Sequence, residues 1–326
     1  MGHVASLARR TGIALLALAV SASHEEAHAQ GCKLTQVASL PMTVDAEQRL
    51  VVPGRLNDRL STTFAVDTGA FVSLLRRSVA DRLGLAFKEI PERVFGVGGR
   101  PLTSRVLVTL QLDKLVSPNA PLLLMPDTLL EGSKIAGLVG ADYLSNYDLD
   151  LDFGGGKLNL FSQGHCQGQV VYWSSDYLQQ PIELDHNHHV FLPITLDGRQ
   201  LKAVLDTGAS DTFLPLPDAR WQFGLDPNSP GMEPAGASTT ADGSQLPTYR
   251  YRFKTMEIAG ITFHNPTLSL IPRIERFATK TGSHTGAAEG ELPQVTLGIH
   301  ELAKLHLYIA YGEHMLYVTP ADAGQP

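Results

Sequence analysis

The chain lacks any block rich in lysine and arginine: 26 Lys+Arg are spread against 33 Asp+Glu, leaving a net charge of −7. Without a basic stripe there is no footprint for phosphates, so no nucleic-acid partner is expected. No segment approaches eighteen consecutive apolar residues, so no spanning helix is expected in the mature protein. A GxSxG elbow is missing, and no P-loop lysine follows the "GVGG" stretch. Strands do not alternate with helices as a Rossmann or hydrolase-type sheet requires. Cysteine is scarce too, with Cys32 and Cys166 the only two. In an exported protein such a pair suits a disulfide; two free thiols are the alternative.

What is present begins with an ordinary globular composition, 43% hydrophobic and 18% charged over 326 residues. Arg9 and Arg10 precede a short apolar run from Ile13 to Val20, and Ala27-His28-Ala29 follows a polar stretch. A basic start, a short apolar run and a small-x-small site read as a secretory signal peptide, 1–29, cleaved after Ala29. A twin-arginine signal is poorly supported by "ARRTGI", and Cys32 lies too far from the apolar run for a lipoprotein signal. The mature protein is therefore expected to be periplasmic or secreted.

The remainder repeats itself. "MTVDAEQRLVVPG" (Met42–Gly54) faces "IELDHNHHVFLPI" (Ile182–Ile194), and "FAVDTGAFVSLL" (Phe64–Leu75) faces "AVLDTGASDTFL" (Ala203–Leu214). "LLLMP" faces "LSLIP", the stretch Gly137–Gly154 faces Val295–Gly312, and "KLNLF" faces "HMLYV". Five blocks in one order mark a tandem duplication. The lobes are assigned to 30–165 and 181–326, joined by 166–180. Short apolar runs between Gly, Pro, Asn and Asp predict mostly strands. Brief helices are expected in "LLRRSVADRLG" and after Gly140 and Gly298. "DLDLDF" and "LHLYIAY" alternate at period two, as half-buried strands do, with the three acids of the first on a solvated face.

In each repeat an apolar run ends on Asp-Thr-Gly-Ala, at Asp67–Ala70 and Asp206–Ala209. Alone, such a turn is an ordinary strand end. In two lobes related by a pseudo-two-fold axis, equivalent turns near the axis meet. Two close carboxylates share one proton, and their titration belongs to the pair. They can hold a water, one member accepting its proton while the other donates to a substrate carbonyl.

These residues resemble the pepsin/retropepsin superfamily of aspartic proteases, and most of all the exported bacterial retropepsin-like proteases with two lobes in one chain. The motif is met by Asp67, Thr68, Gly69 and Ala70 with Ser73 and Leu75, and by Asp206, Thr207, Gly208 and Ala209 with Thr212 and Leu214. The apolar-apolar-Gly signature is met by Leu138-Val139-Gly140 and, with a Thr in place, by Thr296-Leu297-Gly298. "FGVGGRP" resembles a flap tip, placing Phe95, Gly96, Val97, Gly98 and Gly99 over substrate, with Gly236 the weaker counterpart in lobe two. The resemblance implies an all-β bilobal fold with two barrel-like lobes. It also implies an aspartic endopeptidase acting on extended polypeptides, with Asp67 and Asp206 activating water. Thr68, Gly69, Thr207 and Gly208 would support the catalytic turns. One chain would supply a whole active site, so a monomer suffices, with no cofactor. The pepsin flap tyrosine has no counterpart, so pepsin's specificity does not carry over. A duplicated peptide- or partner-binding protein that does not cut is the alternative.

Other clusters read more plainly. "DHNHHV" (Asp185–Val190) packs three histidines beside an acid, yet it aligns with the hairpin turn "DAEQRL", so no metal site is assigned. Asp142 aligns with His300 and is expected to cap its short helix.

Overall fold

The computed structural model describes residues 33–95, 101–130, 132–239, 245–272 and 293–322. The expected leader, Cys32 and the run Gly96, Val97, Gly98 and Gly99 lie outside these residues.

Lobe one is built by alternation. In the strand Pro101–Leu112 every second residue from Leu102 to Leu112 is buried, so one face belongs to a core. It pairs antiparallel with Leu115–Met125, and at Arg55 and Leu56 it also meets Leu50–Leu56. Leu50–Leu56 turns into Leu60–Val66, which runs parallel to Ile135–Val139. Ile135–Val139 meets Leu74–Arg76, and that short strand runs parallel to Leu115–Met125. Six strands thus close on themselves, which removes the exposed edges an open sheet would carry. Leu50, Leu56, Phe64, Leu75, Leu110 and Leu122 fill the interior.

Lobe two follows the same path through Val190–Leu196, Arg199–Leu205, Val295–Leu297, Phe213–Pro215 and Thr267–Ile271, with the same two parallel pairings. Its counterparts of the two long strands are each broken, into Gln245–Arg252 and Thr255–Ile258, and into Ile261–His264 and Thr267–Ile271. Pro266, which has no N–H to give a ladder, sits at one break beside Asn265, whose φ is 54°. The Phe253 N–H reaches the Pro266 carbonyl at 2.9 Å, and the Asn265 N–H reaches Lys254 at 2.8 Å.

A short helix follows each Asp-Thr-Gly-Ala turn, Arg77–Leu83 in lobe one and Leu216–Phe223 in lobe two. Both stop at a left-handed glycine, Gly84 at φ 64° and Gly224 at φ 68°, a conformation that costs glycine little. The second helix was not expected, although Pro217 near its start and Gly224 after its end are both in the sequence. In lobe one the first residues of "LLRRSVADRLG" form the strand Leu74–Arg76 instead.

A third sheet joins the lobes. Its order is Gln36–Pro41, Lys157–Phe161, Asp148–Asp152, Leu305–Ala310, Met315–Pro320 and Leu178–Pro181. The two middle strands, one from each lobe, pair antiparallel from Leu149–Ile309 to Asp152–His306. Here the half-buried expectation fails: Leu149 and Leu151 are buried on one face, and Asp148 and Asp150 are 0% exposed on the other. The acids are tolerated because each finds partners. Asp150 meets His306 Nε2 at 2.6 Å and accepts from Asn159 at 2.9 Å and from the Tyr172 hydroxyl. Asp148 accepts from the Tyr311 N–H at 2.9 Å and meets His165 Nε2 at 2.5 Å. His165 lies between Asp148 and Glu313, the latter 3.2 Å from Nδ1. Burial works against its charged form, but the Asp148 hydrogen bond, the Cys166 carbonyl and the two carboxylate charges outweigh that, so His165 titrates above the usual histidine range. Next to it, Cys166 is disulfide-bonded, and the sequence offers one other cysteine, Cys32.

Candidate active site

Each Asp-Thr-Gly-Ala turn leaves a strand that the following apolar-apolar-Gly strand supports from the side. The Asp67 N–H bonds the Val139 carbonyl at 3.0 Å, and the Asp206 N–H bonds the Leu297 carbonyl at 3.0 Å. Beyond that point the glycines do specific work. A Cβ on Gly140 would lie 2.7 Å from the Ala70 and Val72 carbonyl oxygens, and one on Gly298 would lie 2.3 Å from that of Asp211. No side chain fits there. Ser73 and Thr212, at matching positions, accept the Gly140 and Gly298 N–H groups, each at 3.0 Å.

The two turns interlock across the lobe boundary. The Thr68 hydroxyl donates to the Leu205 carbonyl at 2.9 Å and accepts from the Thr207 N–H at 3.0 Å. The Thr207 hydroxyl returns the arrangement, donating to Val66 at 2.7 Å and accepting from the Thr68 N–H at 3.1 Å. Both threonines are fully buried. Four hydrogen bonds in a dry site fix the separation of the turns, because any displacement leaves buried donors and acceptors unpaired.

The carboxyl groups face each other's turns. Asp67 Oδ1 accepts its own lobe's Gly69 N–H at 3.0 Å, and Asp206 Oδ1 accepts the Gly208 N–H at 2.9 Å. A Cβ on Gly69 would fall 2.3 Å from the Asp206 carboxyl carbon, and one on Gly208 would fall 2.3 Å from that of Asp67. Each acid therefore packs directly over the opposite lobe's glycine. Asp206 is 5% exposed, whereas Asp67 is half-buried. The sequence singled out Asp67, Thr68, Gly69, Asp206, Thr207 and Gly208, and the structure gathers all six.

The remaining candidates divide. Phe95 ends the strand Phe87–Phe95 opposite Pro101 at the head of the next strand. Gly236, offered as the lobe-two flap residue, sits at φ 96° where the Glu233–Thr239 ladder shifts register between Pro234 and Ala237. That is a bulge within the strand, and the following pairing runs to Thr239 opposite Gln245. Equal spacing from the aspartates misled because lobe two carries a longer helix and loop before this hairpin.

The histidine cluster is a turn. Asp185 Oδ1 accepts the Asn187 and His189 N–H groups at 2.9 Å, and Oδ2 meets His189 Nδ1 at 2.8 Å. Asp45 repeats this in lobe one with Glu47 and Arg49. Among the described residues no group of three ligating side chains is placed to hold a metal. Asp142 does not cap its helix: Gly140 is the N-cap residue, and the Asp142 carboxylate turns instead to the Ser73 hydroxyl at 2.7 Å. Sequence comparison of the repeats could not show that contact, since Ser73 and Asp142 are 69 residues apart.

Comparison with known proteins agrees with this geometry. A family model described as aspartyl protease matches residues 52–143 and 192–300, one stretch in each lobe. The chain belongs to the aspartyl protease family. Among solved structures it is similar to basic 7S globulin from soybean, with a TM-score of 0.50 at 8% identity over 90% of this chain and 96% of the globulin. At that identity the likeness concerns the fold. No curated protein matches the chain. Two lobes, each with a closed or near-closed strand path and joined by one sheet, are the bilobal aspartic-protease fold.

Proposed function

We propose that this chain is an aspartic endopeptidase that hydrolyses peptide bonds in extended polypeptides, with Asp67 and Asp206 as the catalytic pair. The observation that carries the reading is the reciprocal packing of each carboxyl over the other turn's glycine, locked by Thr68 and Thr207. With one proton shared between them, the ionised member takes a proton from a water held between the two. That water attacks the peptide carbonyl carbon while the protonated member donates to the carbonyl oxygen. Collapse of the tetrahedral species returns a proton to the leaving amine. All the groups needed for this cycle lie on one chain.

The strand hairpins ending at Phe95 and Thr239 offer backbone against which an extended peptide could pair as an added strand. The leader-like 1–29 supports action outside the cytoplasm, in a periplasm or the medium. The test is hydrolysis of an unfolded polypeptide, with a statin-containing peptide as inhibitor, since its hydroxyl imitates the attacking water. Cleavage that the statin suppresses supports the reading. Binding of the polypeptide with no cleavage at any pH from 3 to 8 would leave a peptide-binding protein instead.

A further inference from the structure

The two catalytic turns match bond for bond until one looks behind them. In lobe one a continuous chain of hydrogen bonds leaves Asp67. Its N–H donates to the Val139 carbonyl at 3.0 Å, and the other end of that same peptide group, the Gly140 N–H, donates to Ser73 Oγ at 3.0 Å. The Ser73 hydroxyl then donates to Asp142 Oδ1 at 2.7 Å. In lobe two the chain runs from Asp206 through the Leu297–Gly298 peptide to Thr212 Oγ1 at the same distances. There it stops: the residue matching Asp142 is His300, which is 57% exposed and lies 3.8 Å from the buried Glu301 carboxylate, and no described hydrogen bond carries the Thr212 hydroxyl to a carboxylate. Asp211 beside it is engaged with Ser269 and Arg250.

A carboxylate at the end of such a chain polarises every link, making the Ser73 oxygen, the Val139 carbonyl and the Asp67 amide each more electron-rich. Negative charge behind Asp67 disfavours its ionised form. In lobe two no such carboxylate ends the chain, and Asp206 is the more buried of the two acids, 5% exposed against the half-buried Asp67. We propose that Asp142 is a positioning residue that raises the proton affinity of Asp67 through Ser73 and the Val139–Gly140 peptide, balancing it against the more buried Asp206. The proposal deepens the peptidase reading and rests on it. No described ion pair involves Asp142; its carboxylate is met by Ser73, and the nearby Tyr143 hydroxyl is paired with Ser117 at 2.9 Å. The acid facing Asp67 across the turn is Asp206.

The experiment uses the full chain with 13C-labelled aspartate carboxyls, read against pH, alongside the pH profile of kcat/KM. In the native protein Asp67 and Asp206 should share the proton comparably. Asp142→Asn keeps a group for Ser73 to bond but removes the charge. The proton should then move to Asp206, and the alkaline limb of the profile should fall by about half a pH unit or more. Ser73→Ala, which cuts the chain, should give the same shift, and Ser73→Thr, the residue lobe two uses, should restore the native limb. Unchanged carboxyl titration in both Asp142→Asn and Ser73→Ala overturns the proposal, as does a native proton held by Asp206 alone. Because the carboxyl signals need no turnover, a native chain that never cleaves refutes the peptidase reading without bearing on this result.

Discussion

The two lobes agree most closely where they touch and differ most where they do not. At the turns, hydrogen bonds correspond within 0.2 Å: 3.0 and 2.9 Å from the turn glycines to the acids, 2.9 and 2.7 Å from the threonines to the opposite strand. Even the outlying hairpins correspond, with Asp45 and Asp185 organising their turns alike around Gln48 and His188 at φ 59° and 63°. Away from the boundary, lobe one runs an unbroken 12-residue strand where lobe two has two short ones. Residues whose partners lie in the other copy cannot change without a matching change across the boundary. A peripheral strand needs only an apolar face, so it can break and shift.

That contrast can be broken by substitution. Among changes that keep both acids, the largest effect should come from Gly69→Ala and Gly208→Ala. Each adds a Cβ 2.3 Å from the opposite acid's carboxyl carbon, so an acid must move. Peptide hydrolysis should fall by about 100-fold or more for both, since displacements near 1 Å cost that much. A mild loss for one and a large loss for the other would show that the lobes are not equivalent at the site.

A smaller and equal effect is expected from Thr68→Val and Thr207→Val. Each removes one buried hydroxyl that makes two hydrogen bonds. Orphaning its partners should lower stability by about 2–4 kcal/mol in urea unfolding. Values differing by more than about 1 kcal/mol would show that the two threonines are not equivalent.

The smallest effect concerns the shared sheet, where lobe one supplies Asp148 and Asp150 and lobe two supplies His306 and Glu313, with His165 wedged between Asp148 and Glu313. The folded state holds the His165 proton more tightly than the unfolded chain, whose histidines titrate near 6.5. Its stabilisation is therefore complete below about pH 6.5 and is lost as pH rises through the raised value. The urea midpoint should decline across that range in the native protein and decline less in His165→Gln. Parallel declines would show that the His165 proton does not stabilise the shared sheet.

The repeats made much of this legible before any coordinates. Duplication, the paired Asp-Thr-Gly-Ala turns and the glycines beneath them could all be read because each is local and occurs twice. The helix Leu216–Phe223 was missed although Pro217 and Gly224 bracket it, since its apolar pattern is weak. The buried state of Asp148 and Asp150 was hidden for a deeper reason. "DLDLDF" alternates as a surface strand does, and its acids are tolerable in the interior through partners outside the strand, among them the imidazoles of His165 and of His306, the latter 156 residues from Asp150. Asp142 was misjudged likewise, its partner Ser73 being distant in sequence. Gly236 failed through a spacing argument that a longer loop defeats.

In the proposed mechanism the two lobes contribute one acid–base pair. The most direct test is the rate of polypeptide hydrolysis by Asp67→Asn, Asp206→Asn and the double variant, with circular dichroism confirming that each is folded. Either single change should reduce cleavage to background and the double change should cost no more, because half a pair does not function. Near-native cleavage by either folded single variant would contradict it.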